Sequence, residues 1–230
     1  MLPRPSNPYG MPPSRQADYD ALDLPLIRAR WDQKAGRWDA DLADAHFHLN
    51  DDDAYCRFLA DAETTVADRS EFCRGHLLVD LACGTGLILE HFLEHFAGGI
   101  GLDLSPRMLD MAAQRSLPGT QWVLGNCFEL ASHMTAAGAV FSRGILLSHY
   151  GPRWAPLLLR QVQQALVPDG GFAILDFLNA AARHAYPCNP GNKTYFHSAE
   201  IEALARAAGF RRARILGQPQ RRVLLVLAEC

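Results

Sequence analysis

The chain of 230 residues has little lysine, no closely spaced cysteines and no long apolar run, and each shortage closes off a class of protein. Of its 22 basic residues only Lys34 and Lys193 are lysines; the others are arginines. Set against 25 acids they leave a formal charge of −3, without the basic surplus that non-specific nucleic-acid binding needs. Six cysteines, at 56, 73, 83, 127, 188 and 230, are scattered with no CxxC pair. That argues against a zinc ribbon or a disulfide scaffold and fits a reducing compartment. No run reaches the ~20 apolar residues of a membrane-spanning helix, and the Pro-rich "MLPRPSNPYGMPPSR" has no apolar signal core. The expectation is a cytoplasmic protein with neither membrane nor nucleic acid as a partner, acting as a monomer or homodimer.

What is present suits one α/β domain with an extension. Hydrophobic residues make up 49% of the chain, ample for a packed core. Residues 1–15 read as a flexible Pro-rich tail. Over 16–74 the spacing is helical, in "DLPLIRARWDQKAGRWDADL" and "DDAYCRFLADAETTVADR". From 75 to 230, short apolar runs alternate with amphipathic stretches. "HLLVDLA", "GGIGLDL", "QWVLGN", "GAVFS" and "GGFAILDF" read as buried strands; "GLILEHFLEHF", "PRMLDMAAQR", "APLLLRQVQQAL" and "SAEIEALARAAGF" read as helices. Such alternation implies a parallel sheet covered on both faces. The tail "RRARILGQPQRRVLLVLAEC" adds two strands as an antiparallel hairpin, and its arginines 211, 212, 214, 221 and 222 read as a solvated face. The expected fold is α/β, a doubly wound, seven-stranded and mostly parallel sheet with a C-terminal antiparallel hairpin.

The stretch with most chemical content is "VDLACGTG", Val79 to Gly86, a buried strand ending in an acid and a glycine turn. Open parallel sheets bind ligands at the carboxyl ends of their strands. Leu89 stands where a dinucleotide fingerprint needs its third glycine, and the P-loop spacing with its lysine is missing. Asp80 would repel a pyrophosphate. A cationic ligand reverses that objection.

Here the chain resembles the class I S-adenosylmethionine-dependent methyltransferases of the small-molecule type, through an ordered series of motifs. "VDLACGTG" is similar to their first motif, with Ala82 replacing its first glycine, and "GIGLDLSPRMLDMA" to their second. "WVLGNCFEL", "GAVFSRGILLSH" and "ALVPDGGFAILDF" resemble the third, fourth and fifth. The resemblance implies S-adenosylmethionine as cofactor, S-adenosylhomocysteine as product and no metal. It places Asp80, Ala82, Cys83, Gly84 and Gly86 around the cofactor. It further implies that Asp103, with Leu104 beside it, binds both ribose hydroxyls, as a carboxylate suits two vicinal donors. Asn126 stands where the family usually has Asp for the adenine amino group. Cys127, Phe128 and Met108 surround the ring, with core packing the competing role for Phe128 and Met108. Ser142 and Arg143 complete the cofactor set, Arg143 having an ion pair with an acid such as Asp80 as its alternative.

The same resemblance makes residues 16–74 a helical lid, "WDQKAGRWDADL" being similar to a "YDxxAxxYD" segment with Trp31 and Trp38 in place of the tyrosines. The acceptor is expected over "SRGILLSHYGPRW". His149 is the candidate base, since an unperturbed imidazole titrates near neutrality, and a packed histidine is the plainer alternative. Tyr150 and Trp154 are candidates for an aromatic wall. Tyr19, Trp38, His46, Phe47, His48, Tyr186 and Tyr195 are further acceptor-contact candidates. "SRGI" replaces the [DN]PP[YF] motif of nucleic-acid base methylation, and no acid lies between Ser142 and Pro168 for a catechol-type magnesium.

The expected function is methyl transfer to nitrogen or oxygen of a small, aromatic or heterocyclic metabolite in bacterial secondary metabolism. The alternative is a cofactor-binding regulatory or assembly partner of the same fold. "HFLEH", His91 to His95, matches an inverted zinc-peptidase pattern, with exposed helix histidines as the plainer reading.

Overall fold

The computed structural model describes residues 19–43, 54–185 and 193–230. The chain enters through α1 (Leu24–Lys34). Asp23 caps it by accepting the Leu26 N–H at 3.1 Å, and Pro25 sits in its first turn, where no amide hydrogen is needed. A 3-10 turn (Ala35–Arg37) leads to α2 (Trp38–Ala43). Helices α3 (Ala54–Asp68) and α4 (Ser70–Arg74) follow.

Strand and helix then alternate: β1 (Leu77–Leu81), α5 (Leu87–Phe92), β2 (Gly98–Asp103), α6 (Pro106–Ala113), β3 (Thr120–Leu124) and α7 (Leu130–His133). The second half runs β4 (Ala137–Ser142), α8 (Leu146–Ala165), β5 (Phe172–Asn179), β6 (Tyr195–Phe196), α9 (Ser198–Ala208), β7 (Arg212–Leu216) and β8 (Val223–Glu229). Gly209, at φ +110°, ends α9 in the left-handed conformation that favours glycine.

Seven strands lie in the order β3-β2-β1-β4-β5-β8-β7, and the two-residue β6 adds to the end of β5. The first five run parallel, while β8 is antiparallel to both neighbours, β5 and β7. The order reverses between β1 and β4. Connections leaving these two strands diverge, which opens a crevice beyond their carboxyl ends.

Period-two alternation divides the strand side chains between two cores. Leu78 faces Phe58, Ala62 and Val66 of α3, Phe92 of α5 and Phe141 of β4. Val79, its neighbour, faces the opposite layer with Leu158, Leu159 and Val162 of α8 and Ile201 of α9. The 16–74 stretch therefore has two roles. Among the described residues, 54–74 cover the sheet, and the helices before them lie over the crevice.

Three local expectations need correction. The helix expected from Ala155 begins at Leu146 and breaks once, at Gly151 (φ +65°), before Pro152 restarts it. The arginine face is not fully solvated, because Arg222 is only 2% exposed. Asn179 ties the turn before β8 inward, its N–H donating to Arg222 O at 2.8 Å and its Nδ2 to Arg221 O at 2.9 Å. The "HFLEH" histidines do not share one helix: α5 ends at Phe92, and His95 lies in the following 3-10 turn. His91 Nε2 instead meets Glu63 Oε1 at 2.6 Å, and among the described residues no acid–histidine–cysteine group is arranged to hold a metal ion.

Candidate cofactor and acceptor site

A cavity of about 480 Å³ opens at the carboxyl ends of β1, β2 and β4, where the strand order reverses. Its floor is polar at one end. Asp80, on β1, is 1% exposed, and its Oδ2 has no hydrogen-bond partner among the described residues. Burial, and then the neighbouring Asp103, raise its pKa well above the ordinary carboxylate range. Such an oxygen is costly unless a donor or cation reaches it.

Asp103 ends β2. Its Oδ2 accepts the Gly84 N–H and its Oδ1 the Ser105 N–H, each at 2.8 Å. Burial pushes its pKa up to about 6, against the opposing pull of the Ser105, Gly84 and Leu104 amides. Each carboxylate oxygen has two lone-pair sites, so one on each remains to accept from a ligand. Two vicinal hydroxyls match that pair of sites.

The turn between β1 and α5 brings its backbone to the cavity. Ala82 (φ +59°) and Gly84 (φ +54°) both take the left-handed conformation, and Cys83 lines the wall between them. Gly86 does not line the cavity. An added Cβ there meets Trp122 Cη2 at 2.6 Å, so its role is to make room for that indole. Leu104 and Met108 form an apolar side wall, with Asn126 and Cys127 beyond them. Asn126 Oδ1 accepts the Phe128 N–H at 3.1 Å and the Cys127 thiol at 3.7 Å, so a ligand donor there would compete with the thiol.

Phe128 itself is core, packed against Tyr150 at 4.7 Å and Trp154 at 5.9 Å between ring centres. Of the two roles expected for Phe128, this packing favours the core one. Ser142 likewise does not line the cavity, whereas Arg143 does and acts on Asp176 rather than Asp80 in lowering a carboxyl pKa. Asp176, on β5, accepts the N–H groups of Gly144 (3.0 Å) and Ile145 (2.5 Å). It thereby holds Ile145 at φ +56°, a strained backbone for a β-branched residue.

The other end of the cavity is aromatic and basic. His149 and Tyr150 reach it from α8, with Tyr19, Trp31, Lys34 and Trp38 above them and Lys193 beside them. The His149 ring lies 4.9 Å from Tyr19 and 5.9 Å from Trp31, and its Nδ1 meets Lys193 Nζ at 2.5 Å. Burial, then Lys193 and Lys34, hold its pKa well below the ordinary histidine value, so the ring is neutral at neutral pH. Burial pushes the Tyr150 phenol well up, so it stays protonated.

Two expected acceptor contacts fall away. Trp154 donates its Nε1–H to Asp20 O at 3.1 Å and does not line the cavity; it ties α8 to the chain before α1. Tyr195 is half-buried in β6 beneath the Arg183 guanidinium, away from the cavity. His46, Phe47, His48 and Tyr186 lie outside the described residues.

The roof is pinned by carboxylates that sequence reasoning passed over. Asp32 Oδ1 accepts the Ser105 hydroxyl at 2.6 Å, and the same Ser105 Oγ accepts the Met108 N–H at 3.1 Å. Asp39 Oδ1 accepts the Thr85 hydroxyl at 2.5 Å, and its other oxygen pairs with Arg115. Each aspartate follows a tryptophan that faces the cavity, and Trp31 and Trp38 pack edge to face at 5.4 Å. The signal was in the sequence as two "WD" pairs two helical turns apart.

Residues 78–170 match the protein family described as Methyltransferase domain. These residues form a methyltransferase domain with the class I fold. The chain is 27% identical over 235 residues to dTDP-3-amino-3,4,6-trideoxy-alpha-D-glucopyranose N,N-dimethyltransferase of Streptomyces venezuelae, covering 82% of this chain and 98% of that one. The crystal structure of Streptomyces venezuelae DesVI superposes with a TM-score of 0.59 at 23% identity, covering 75% of this chain and 92% of that one. Magnesium protoporphyrin IX methyltransferase (ChlM) from Synechocystis PCC 6803, with bound SAH, gives 0.66 at 16% identity over 89% and 99%. Both structures share the fold of this methyltransferase domain.

Its residues fit the cofactor of that family. The partnerless Asp80 oxygen and the cavity's acidic floor suit a cation, the spare Asp103 acceptors suit a ribose diol, and Gly84 leaves space without a Cβ. Met108 and Leu104 offer an apolar flank to a purine.

Proposed function

We propose that this chain transfers a methyl group from S-adenosylmethionine to an amine nitrogen of a small, ring-bearing metabolite in bacterial secondary metabolism. When bound, the cofactor supplies an electrophilic methyl on a sulfonium, which departs as a neutral thioether. Asp103 would hold the sugar by accepting hydrogen bonds from its hydroxyls, while Asn126 and Cys127 would meet the base. Asp80, whose raised pKa the arriving cation would lower, would supply negative charge to the cationic end. Tyr19, Trp31 and Trp38 close the space above and exclude water, so positioning and desolvation are the main contributions, up to roughly 7–11 kcal/mol in well-aligned reactions.

An amine acceptor must shed a proton before or after attack. His149, neutral and lining the same cavity, can take it at Nδ1 once Lys193 Nζ has moved off that nitrogen, since a neutral imidazole has one lone pair. The observation that carries the reading is this opposition within one cavity, of buried carboxylates at the strand ends and a neutral imidazole under aromatic rings. The likeness to an amino-sugar N,N-dimethyltransferase favours nitrogen over oxygen. The test is incubation with methyl-tritiated cofactor and matched amino- and hydroxy-bearing sugars and aromatics. Label in the amines supports the reading. Label only in hydroxyl acceptors refutes nitrogen, and retained cofactor binding without label in either class refutes the transferase reading itself.

A further inference from the structure

Lys34 and Lys193 are the chain's two lysines among 22 basic residues, and both line the same cavity. They come from far apart in sequence, Lys34 from the end of α1 and Lys193 from the segment before β6. Lys34 Nζ lies 4.4 Å from the Trp31 ring centre, and Lys193 Nζ lies 5.3 Å from that of Tyr19. Among the described residues the charges acting on Lys193 are positive, from Lys34 and Arg30, and its hydrogen-bond partner is a ring nitrogen of His149. An ammonium in such company, half-buried beside other cations, gains most from an arriving anion.

The position of Lys193 says whose anion that is. The cofactor-binding acids Asp80 and Asp103 stand on β1 and β2, whereas Lys193 stands on the β4–β5–β6 side with His149, the proton acceptor. We propose that Lys193, with Lys34 in the same cavity, forms a subsite for an anionic group, carboxylate or phosphate, carried by the methyl acceptor. The aromatic rings hold the acceptor's ring, and the lysine end fixes its orientation by charge. A compact ammonium with a rotatable stem serves either anion, where a guanidinium fork would favour planar, bidentate contact.

The inference rests on the methyl-transfer reading, and its test separates the two. The full chain, saturated with S-adenosylhomocysteine, is titrated calorimetrically with pyrophosphate and, separately, with benzoate, the two arms distinguishing phosphate from carboxylate. At least one is expected to bind, with affinity lowered tenfold or more in Lys193→Met and restored to within threefold in Lys193→Arg. Lys34→Met is expected to weaken the same anion several-fold. Binding of neither anion, or equal binding to wild type and Lys193→Met, overturns the proposal. So does a Lys193→Met loss of affinity for S-adenosylhomocysteine but not for 5′-methylthioadenosine, which would assign the lysine to the cofactor's own carboxylate. Failure of wild type to bind S-adenosylhomocysteine at all would instead overturn the methyl-transfer reading.

Discussion

The Asp103 carboxylate is held at 2.8 Å by the backbone N–H of Gly84, across the gap between β2 and the turn after β1. This one bond joins the two motifs that a cofactor must bridge. It fixes the carboxylate's plane while leaving one acceptor site on each oxygen, and it partly offsets the burial that raises the Asp103 pKa to about 6.

Cofactor affinity should therefore depend on pH. A diol donates to the ionised carboxylate, so binding requires the proton to leave. The affinity for S-adenosylhomocysteine is expected to rise with pH, by up to about tenfold per unit below about pH 6, and to level off above it. Titration calorimetry at several pH values checks this, and a flat profile would remove Asp103 from the ribose.

The same shifts bear on stability with the opposite sign. Asp103 and Asp176 both have folded-state values of about 6, above the unfolded value near 3.9. The native state binds these protons more tightly, so the stabilisation is present below about pH 4 and lost as pH rises through about 6. Between about pH 4 and 6.5 the contribution of these groups to the melting temperature of the cofactor-free chain should fall. Asp176→Asn should flatten that slope in scanning calorimetry, at some cost from its lost acceptor for the Gly144 and Ile145 amides.

Removing the roof's anchors should speed cofactor exchange. Asp32→Ala with Asp39→Ala deletes the bonds to Ser105, Thr85 and Arg115. Each is worth about 1–3 kcal/mol when a charged group takes part. Dissociation of S-adenosylhomocysteine, followed by stopped-flow fluorescence of Trp31 and Trp38, is expected to accelerate tenfold or more, and an unchanged rate would show that these bonds do not restrain the roof.

Backbone conformation in the first motif gives a paired prediction. Ala82 at φ +59° bears a left-handed strain of roughly 1–2 kcal/mol that glycine avoids at some entropic cost. Ala82→Gly should be neutral or stabilising by up to about 1 kcal/mol. Gly86→Ala drives a methyl to 2.6 Å from Trp122, at φ +82°, and should cost about 2–4 kcal/mol in denaturant unfolding.

For His149, replacement by Ala is expected to lower turnover about a hundredfold while acceptor affinity changes little. Equal losses in both would make it a packing residue under Tyr19 and Trp31.

How much of this was legible beforehand follows from which interactions are local. Strand ends, the glycine turn and Asp103 could be read because strand–helix alternation and a strand-end acid are patterns of neighbouring residues. The antiparallel place of β8 was readable from the closing hairpin. The facing of Phe128 and Gly86 was not legible because packing decides it: Phe128 turns to Tyr150, and Gly86 yields to Trp122, 36 positions later in the chain. Lys193 was passed over because nothing in "GNKTYF" signals that its ammonium meets His149 across the cavity. The two lysines were noticed as a compositional oddity, and only the fold brought them together.

The most direct measurement is calorimetric binding of S-adenosylhomocysteine to wild type and to Asp103→Ala at pH 7.5 or about that value. The account predicts binding by wild type and a loss of tenfold or more in the variant, which still unfolds cooperatively though at lower stability, its Gly84 and Ser105 amides having lost their acceptor. No binding by wild type, or equal affinity in both, would contradict it.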